Sequence, residues 1–393
     1  MPACYVVRVV NPVDLKGVAA HPGMVSLLRE ARGWSQTDLA NASGISQGFL
    51  SKVEGGHQDL RDAKLIAVAE ALGCPPSLLL DDAPIRGIEI TCLHHRKRGS
   101  RINVTAKRQI EAVAHLSRVT VNGLMEGVDL LTDLPLPRPG QQGGHQSRDQ
   151  RVEDSDDAGA LRPAQLARDL RQLWHLPAGP VPNVMELLER AGVVVHVRAL
   201  GTSAQDAVSS WPAGGRPMML VNAGLPGDRE RFTVCHELGH LLMHTAPSED
   251  QEREANEFAS EFLAPAADIR PDLEGLTTRD FPRLVTLKSK WRMSIAALIM
   301  RARDTDCITD RQFREFQIRL NKLGWTPVEP GTLERERPQL LDKVVEAYLS
   351  EPDLTMEDVA AMAQMTESAF RFYYAKNHQV ATRPRLKVST ARD

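Results

Sequence analysis

The sequence predicts a mainly α-helical chain with one small β-sheet, an α+β architecture divided between an N-terminal and a C-terminal unit. Three observations predict it. Apolar residues recur at three-to-four spacing through most of the 393 residues, the period of a helix with one buried face. Branched and alternating apolar runs gather only in VVVHVRAL, DAVSSW and PMMLVNA, between residues 193 and 223. Between them and the N-terminus, DLPLPRPGQQGGHQSRDQRVEDSDDAGA (133–160) carries almost no apolar side chain and reads as a flexible linker.

Composition sets outer limits. Hydrophobic residues make up 42% and charged residues 25%, average for a globular protein, and the length suggests two or three domains. A net charge of −3 supplies no global attraction to nucleic acid or an anionic membrane, so any DNA contact must come from a local patch. Five scattered cysteines (Cys4, Cys74, Cys92, Cys235, Cys307) without a C-x-x-C exclude a disulfide framework and a cysteine-rich zinc site. No apolar run approaches the ~20 residues of a membrane span, and MPACYVVRVVNPVDLK lacks the pattern of a secretion signal. A cytoplasmic location fits, with no membrane partner.

In chain order, 1–20 is an N-terminal extension. Residues 21–82 contain four short helical segments, MVSLLREARG, SQTDLANASG, SQGFLSKVEGG and DAKLIAVAEALG, each ending at or beside glycine. A connecting segment, 83–132, begins with a predicted strand, IRGIEITCL, and the basic run HHRKRGSR, and ends in a helical stretch. After the linker, 161–305 forms the larger domain, with an amphipathic helix through Leu166, Leu170, Leu173 and Trp174, then the sheet. The helix RERFTVCHELGHLLMH follows, with Asp228 as its expected N-cap. A helical region covers 306–376, and 377–393 is a basic tail.

Within GWSQTDLANASGISQGFLSKVEGG (33–56) the spacing predicts a helix-turn-helix. Gln36 opens one helix, Ala40 permits close helix contact, Gly44 makes the turn, Ile45 and Leu50 face inward, and Ser46 caps the second helix. The outer side of that second helix is assigned Gln47, Phe49, Ser51 and Lys52, a polar face free of glutamate that favours double-stranded DNA over a protein partner. Gln47 and Lys52 are the expected base readers, Ser51 lies beside them, and Gln36 and Ser46 suit phosphate.

The second constellation is TVCHELGHLLMH (233–244). His236 and His240 are four apart, so on a helix their imidazoles rise from one face and can share an ion, while Glu237 is offset by one residue and can reach a water as general base. EREANEFASEFLAP (252–265) begins after a short turn and can bring a carboxylate back to the pair. Glu252 is the expected third metal ligand and Glu254 the fallback, otherwise a solvated charge. Asn256, on the face of Glu252, is expected to hydrogen-bond a ligand histidine. Two histidines and a glutamate with an open position suit catalytic Zn2+ and peptide hydrolysis. His244 is expected to be structural and Cys235 a packed apolar residue.

On these residues the chain resembles an XRE-family helix-turn-helix regulator fused to an ImmA/IrrE-family zinc metallopeptidase domain. SQTDLANASGISQGFLSKVEGG carries the first likeness, RFTVCHELGHLLMH with EREANEFASEFLAP the second, and KSKWRMSIAALIMRARD, ITDRQF and LGWTPVEP extend it. The resemblance implies a five-helix-type helix-turn-helix domain and a zincin-like core with ligands His236, His240 and Glu252 and general base Glu237. It implies an operator-binding protein, expected as a homodimer, that cleaves a partner such as a repressor at one site. A sheet edge at PMMLVNA or DAVSSW would accept the substrate as an added strand. The alternative is a non-enzymatic regulator or toxin–antitoxin component whose zinc domain binds a partner or senses a signal. LTMEDVAAMAQMTESAFRFYYA has a helix-turn-helix rhythm but lacks a polar reading face, so it is assigned a structural role.

Overall fold

The computed structural model describes residues 16–81, 103–138, 163–245, 248–326 and 328–374. Most of the N-terminal extension, the predicted strand IRGIEITCL, the HHRKRGSR run, the linker from 139 onward and the basic tail lie outside the described residues. Helices dominate, and one three-stranded sheet accompanies them.

Near the N-terminus, α1 (Pro22–Ala31), α2 (Gln36–Ser43), α3 (Gln47–Glu54) and α4 (Asp62–Leu72) close on a core of Met24, Val25, Leu39, Leu50, Val53, Leu65 and Val68, followed by a 3-10 turn, Pro76–Leu80. Ser35 and Asp38 form a reciprocal capping box that starts α2. Gly44 ends it in the left-handed region at φ 69°, which reverses the chain into α3. Arg29 of α1 forks onto Glu54 at the end of α3, at 2.6 and 2.9 Å, fixing the angle of the second helix against the first.

The connecting helix is a central strut. α5 (Val104–Met125), capped by Asn103, packs on α1 at one end. Further along, Ile110, Val113 and Ala114 meet Leu200, Val208 and Leu220, and Val121, Leu124 and Met125 join the C-terminal helices. A Cβ on Gly123 would stand 1.9 Å from the carbonyl oxygen of Met362, so only glycine admits that approach. Arg118, buried mid-helix, donates to the carbonyls of Ser210 and Arg216 at 3.0 and 3.1 Å, and burial brings its pKa down to about 10.

In the larger unit, α6 (Pro163–Leu173) and α7 (Val184–Arg190) precede β1 (Val194–Arg198), β2 (Ala207–Ser210) and β3 (Met218–Asn222). The order is β1-β3-β2, with β1 parallel and β2 antiparallel to β3. PMMLVNA is therefore the central strand, which corrects its assignment as an edge; DAVSSW is an edge. The connection from β1 to β2 skips one position, and the hairpin from β2 then lays β3 between the two. α8 (Gly227–Met243) covers one face through Ala207, Met219 and Val221, and α5 covers the other. α8 begins two residues earlier than expected, with Pro226 at its N-cap position. Asp228 lies inside the first turn, where Oδ1 accepts the Arg229 backbone N–H at 2.9 Å and Oδ2 receives Lys288 Nζ at 2.7 Å.

α9 (Gln251–Leu263) folds back along α8, placing Phe258 and Phe262 in the core, and α10 (Ala266–Leu273), α11 (Phe281–Trp291), α12 (Ile295–Asp304) and α13 (Asp310–Lys322) complete the shell. Residues 328–338 then cross the first turn of α8. Glu329 accepts from Lys288 and from the backbone N–H groups of Ile295 and Ala296. Arg335 pairs with Glu230, and Glu336 with the buried Arg231. A Cβ on Gly227 would stand 2.6 Å from the carbonyl oxygen of Leu333, so the glycine lets this strap lie close.

α14 (Leu340–Ser350), α15 (Met356–Met362) and α16 (Glu367–Tyr374) pack on α5 and β1. At this junction the Tyr374 hydroxyl hydrogen-bonds His196 Nε2 at 2.8 Å. Burial pushes the His196 pKa down to about 3 from an ordinary 6.5. The unfolded chain takes up this proton well before the folded chain does, so its share of stability is complete above pH 6.5 and is lost as pH falls toward 3. Between pH 7 and pH 5, the wild type is expected to lose about 2 kcal/mol more stability than His196→Asn in urea titrations. Parallel losses in the two proteins would contradict this.

Candidate functional site

Two places carry chemistry. The first lies between α8 and α9. His236 and His240 sit one turn apart, with Nε2 atoms 3.0 Å from each other, and Glu252 at the start of α9 reaches both, 3.5 Å from His236 Nε2 and 3.3 Å from His240 Nε2. One ligand atom from each residue lies within 4.8 Å of the others. The histidines are buried, while the Glu252 side chain is 29% exposed, so the group opens on the glutamate side. Burial works to raise the Glu252 pKa, but its close contacts with His236 and His240 prevail and hold it well below the usual carboxylate range.

The donor set fits zinc. A tetrahedral ion with bonds of ~2.0–2.1 Å to nitrogen and oxygen sets its ligand atoms about 3.3–3.4 Å apart, close to the three separations found here. The far side of each imidazole is also held. His236 Nδ1 lies 3.1 Å from Asn256 Oδ1, and Asn256 donates through Nδ2 to the Glu252 carbonyl at 2.7 Å. His240 Nδ1 lies 2.9 Å from His244 Nδ1, whose Nε2 lies 2.9 Å from Glu254. Glu254 is thus no solvated charge, as the sequence suggested, and it stands outside the ligand cluster.

Glu237 is buried beside this group, and the Ser209 hydroxyl of β2 donates to its Oε2 at 2.7 Å. The pairing of β2 explains the contact. Asn222 N–H donates to the Asp206 carbonyl at 2.7 Å, so in antiparallel alternation residues 206, 208 and 210 bond β3 while the backbone groups of Ala207 and Ser209 turn to the outer edge. Arg229 of α8 clamps Asp206 at 2.6 and 2.7 Å and fixes strand against helix. Cys235 faces the core, its thiol pKa raised by burial.

The second place is the outer face of α3. Gln47, Ser51 and Lys52 are exposed there, with Gly48 between them. Phe49 is not part of that face: it packs on the core with Lys64 Nζ 4.1 Å from its ring centre. Ser46 holds the N-cap position, but its hydroxyl makes no cap hydrogen bond. Gln36 uses both amide atoms within the domain, donating to Glu54 at 3.0 Å and accepting from Gln47 Nε2 at 2.9 Å. It aligns the first residue of α3 rather than reaching outward.

Residues 25–79 match the helix-turn-helix family, and residues 188–303 match the IrrE N-terminal-like domain of the M78 peptidases. The chain is a fusion of the two. No curated protein and no solved structure matches it. The IrrE-like match spans the sheet, α8 with the histidines and α9 with Glu252, while α5 and α14–α16 lie outside both matches.

Sequence reasoning missed Ser209, Glu54 and the role of Glu254. Nothing local marks Ser209, since its relation to Glu237 exists only after β2 is laid on α8. His244 did carry a signal: 236, 240 and 244 form a stripe of histidines at four-residue spacing. In the helix-turn-helix domain, Gln47→Ala and Lys52→Ala are each expected to weaken specific operator binding by about 1–3 kcal/mol in mobility-shift assays, with little change on unrelated DNA. Unchanged discrimination in both would remove α3 as the reading helix.

Proposed function

We propose that the chain is a cytoplasmic transcriptional regulator that binds operator DNA through α3 and cuts a partner protein at a specific site with a zinc-dependent endopeptidase centre. His236, His240 and Glu252 hold the ion, which when bound supplies a Lewis acid that acidifies water and polarises a peptide carbonyl. Glu237 takes the proton of the attacking water and returns it to the departing amine. The observation that carries this reading is the contact between Ser209 and Glu237, because it joins the general base to an edge strand whose Ser209 backbone groups turn outward, beside an Ala207 carbonyl held by Gln205 Nε2, in the orientation an added peptide strand uses. The substrate then lies along β2 with its scissile bond over the histidines.

On the DNA side, a homodimer would set two copies of α3 in successive major grooves, about 34 Å apart on a palindromic site. The partner is a repressor or toxin whose removal changes expression at that operator. No helix among the described residues is long and apolar enough to cross a membrane, in keeping with action on DNA. The test is a survey of new protein N-termini in cells making the wild-type chain or Glu237→Gln. A terminus found only with the wild type identifies the substrate and supports cleavage. Equal function of the two chains, with loss confined to His236→Ala, would instead make the metal domain a binding or sensing module.

A further inference from the structure

The hydrogen-bond pattern behind the histidines determines which ring nitrogen carries each proton. Asn256 donates through Nδ2 to the Glu252 carbonyl, so it presents Oδ1, an acceptor, to His236 Nδ1 at 3.1 Å. His236 therefore carries its proton on Nδ1 and turns a lone pair inward from Nε2. For His240 the contact is with another imidazole, and two Nδ1 atoms 2.9 Å apart do not by themselves say which one donates.

Glu254 resolves it. A carboxylate only accepts, so His244 Nε2, 2.9 Å from Glu254 Oε2, carries the proton. A neutral imidazole has one N–H; His244 Nδ1 is then the acceptor and His240 Nδ1 the donor. In the tautomer this relay selects, the His240 lone pair also points inward, so both Nε2 atoms can serve an ion beside Glu252. Three residues of α9 thus act on the pair in different ways: Glu252 directly, Asn256 through His236 Nδ1, and Glu254 through His244.

We propose that His244 and Glu254 are positioning residues that lock His240 in the tautomer able to bind metal and so set the centre's affinity. The proposal rests on the reading of His236, His240 and Glu252 as a metal centre. The relay gives His240 a carboxylate at one remove, whereas His236 Nδ1 faces the neutral amide of Asn256, and His240 and His244 are both buried. Without Glu254, His244 can adopt either tautomer, and one of them sets N–H against N–H at His240.

The test uses the full chain and zinc alone. Affinity is measured by competition with a chelator for wild type, Glu254→Gln, His244→Phe and, as a control, Glu257→Gln, whose side chain is 43% exposed on the same helix. Glu254→Gln and His244→Phe are expected to bind zinc about 10–100-fold more weakly, with the control unchanged. Nitrogen–proton correlation spectra of the metal-free wild type are expected to show His240 protonated at Nδ1 and His244 at Nε2. Zinc affinities within twofold of wild type in both relay variants, or His240 protonated at Nε2 in the metal-free wild type, would overturn the proposal. Failure of the wild type itself to bind zinc would instead remove the metal centre beneath it.

Discussion

Glu237→Gln is expected to lower the rate of partner cleavage by about 10²–10⁴-fold while the protein keeps its fold and its zinc. Glutamine has the size of glutamate and can still accept from Ser209, which lies 2.7 Å from Oε2, so packing between β2 and α8 survives. It cannot take a proton. The loss should appear in the rate at saturating substrate more than in substrate affinity, because the proposed substrate strand would bind through the β2 backbone. Ser209→Ala gives a graded version: the carboxylate remains but loses one restraint, and a smaller fall is expected. A Glu237→Gln chain that cleaves its partner at the wild-type rate would exclude Glu237 as the base.

The second large effect is on stability. Glu336→Ala is expected to cost about 3–5 kcal/mol in urea titrations, because it leaves a buried cation without its partner. Arg231 is 2% exposed and pairs through Nη1 with Glu336, while its Nη2 donates to the Val181 carbonyl at 2.7 Å. Burial lowers the Arg231 pKa, and Glu336 is the principal group acting against that shift. The same carboxylate accepts the backbone N–H groups of Val184 and Met185 at 2.7 and 3.2 Å, at the start of α7. One substitution therefore strands an arginine, frees two amides and unfastens the strap from α8. Glu336→Gln keeps an acceptor and should cost less. A loss under 1 kcal/mol for Glu336→Ala would mean that the strap contributes little.

What could be read from the sequence depended on the range of the interaction. Helices were legible because their signals are local: the spacing in MVSLLREARG and the turn glycine Gly44 each act within one or two turns. The histidine pair was legible for the same reason, and Glu252 could be named because a short turn limits where α9 begins. The strand order was not legible. β3 lies between β1 and β2 although it is last in sequence, and no residue in PMMLVNA announces two partners rather than one. Long-range polar contacts were equally hidden: Glu336 meets Arg231 across 105 residues, and Arg118 meets Ser210 across 92. Asp228 is not the N-cap because α8 starts at Gly227, and its second carboxylate oxygen has a partner, Lys288, that lies 60 residues away. Phe49 was assigned outward from helix phase alone, but an aromatic ring at the edge of a small domain gains more by lying on the core.

The central claim is that His236, His240 and Glu252 hold one metal ion. Zinc content after equilibrium dialysis, measured together on wild type, Glu252→Ala and the His236→Ala, His240→Ala double variant, tests it most directly. The account predicts one zinc per chain in the wild type, none in the double variant and a marked deficit in Glu252→Ala. A double variant that retained the wild-type content, or a wild type that took up no zinc, would contradict it.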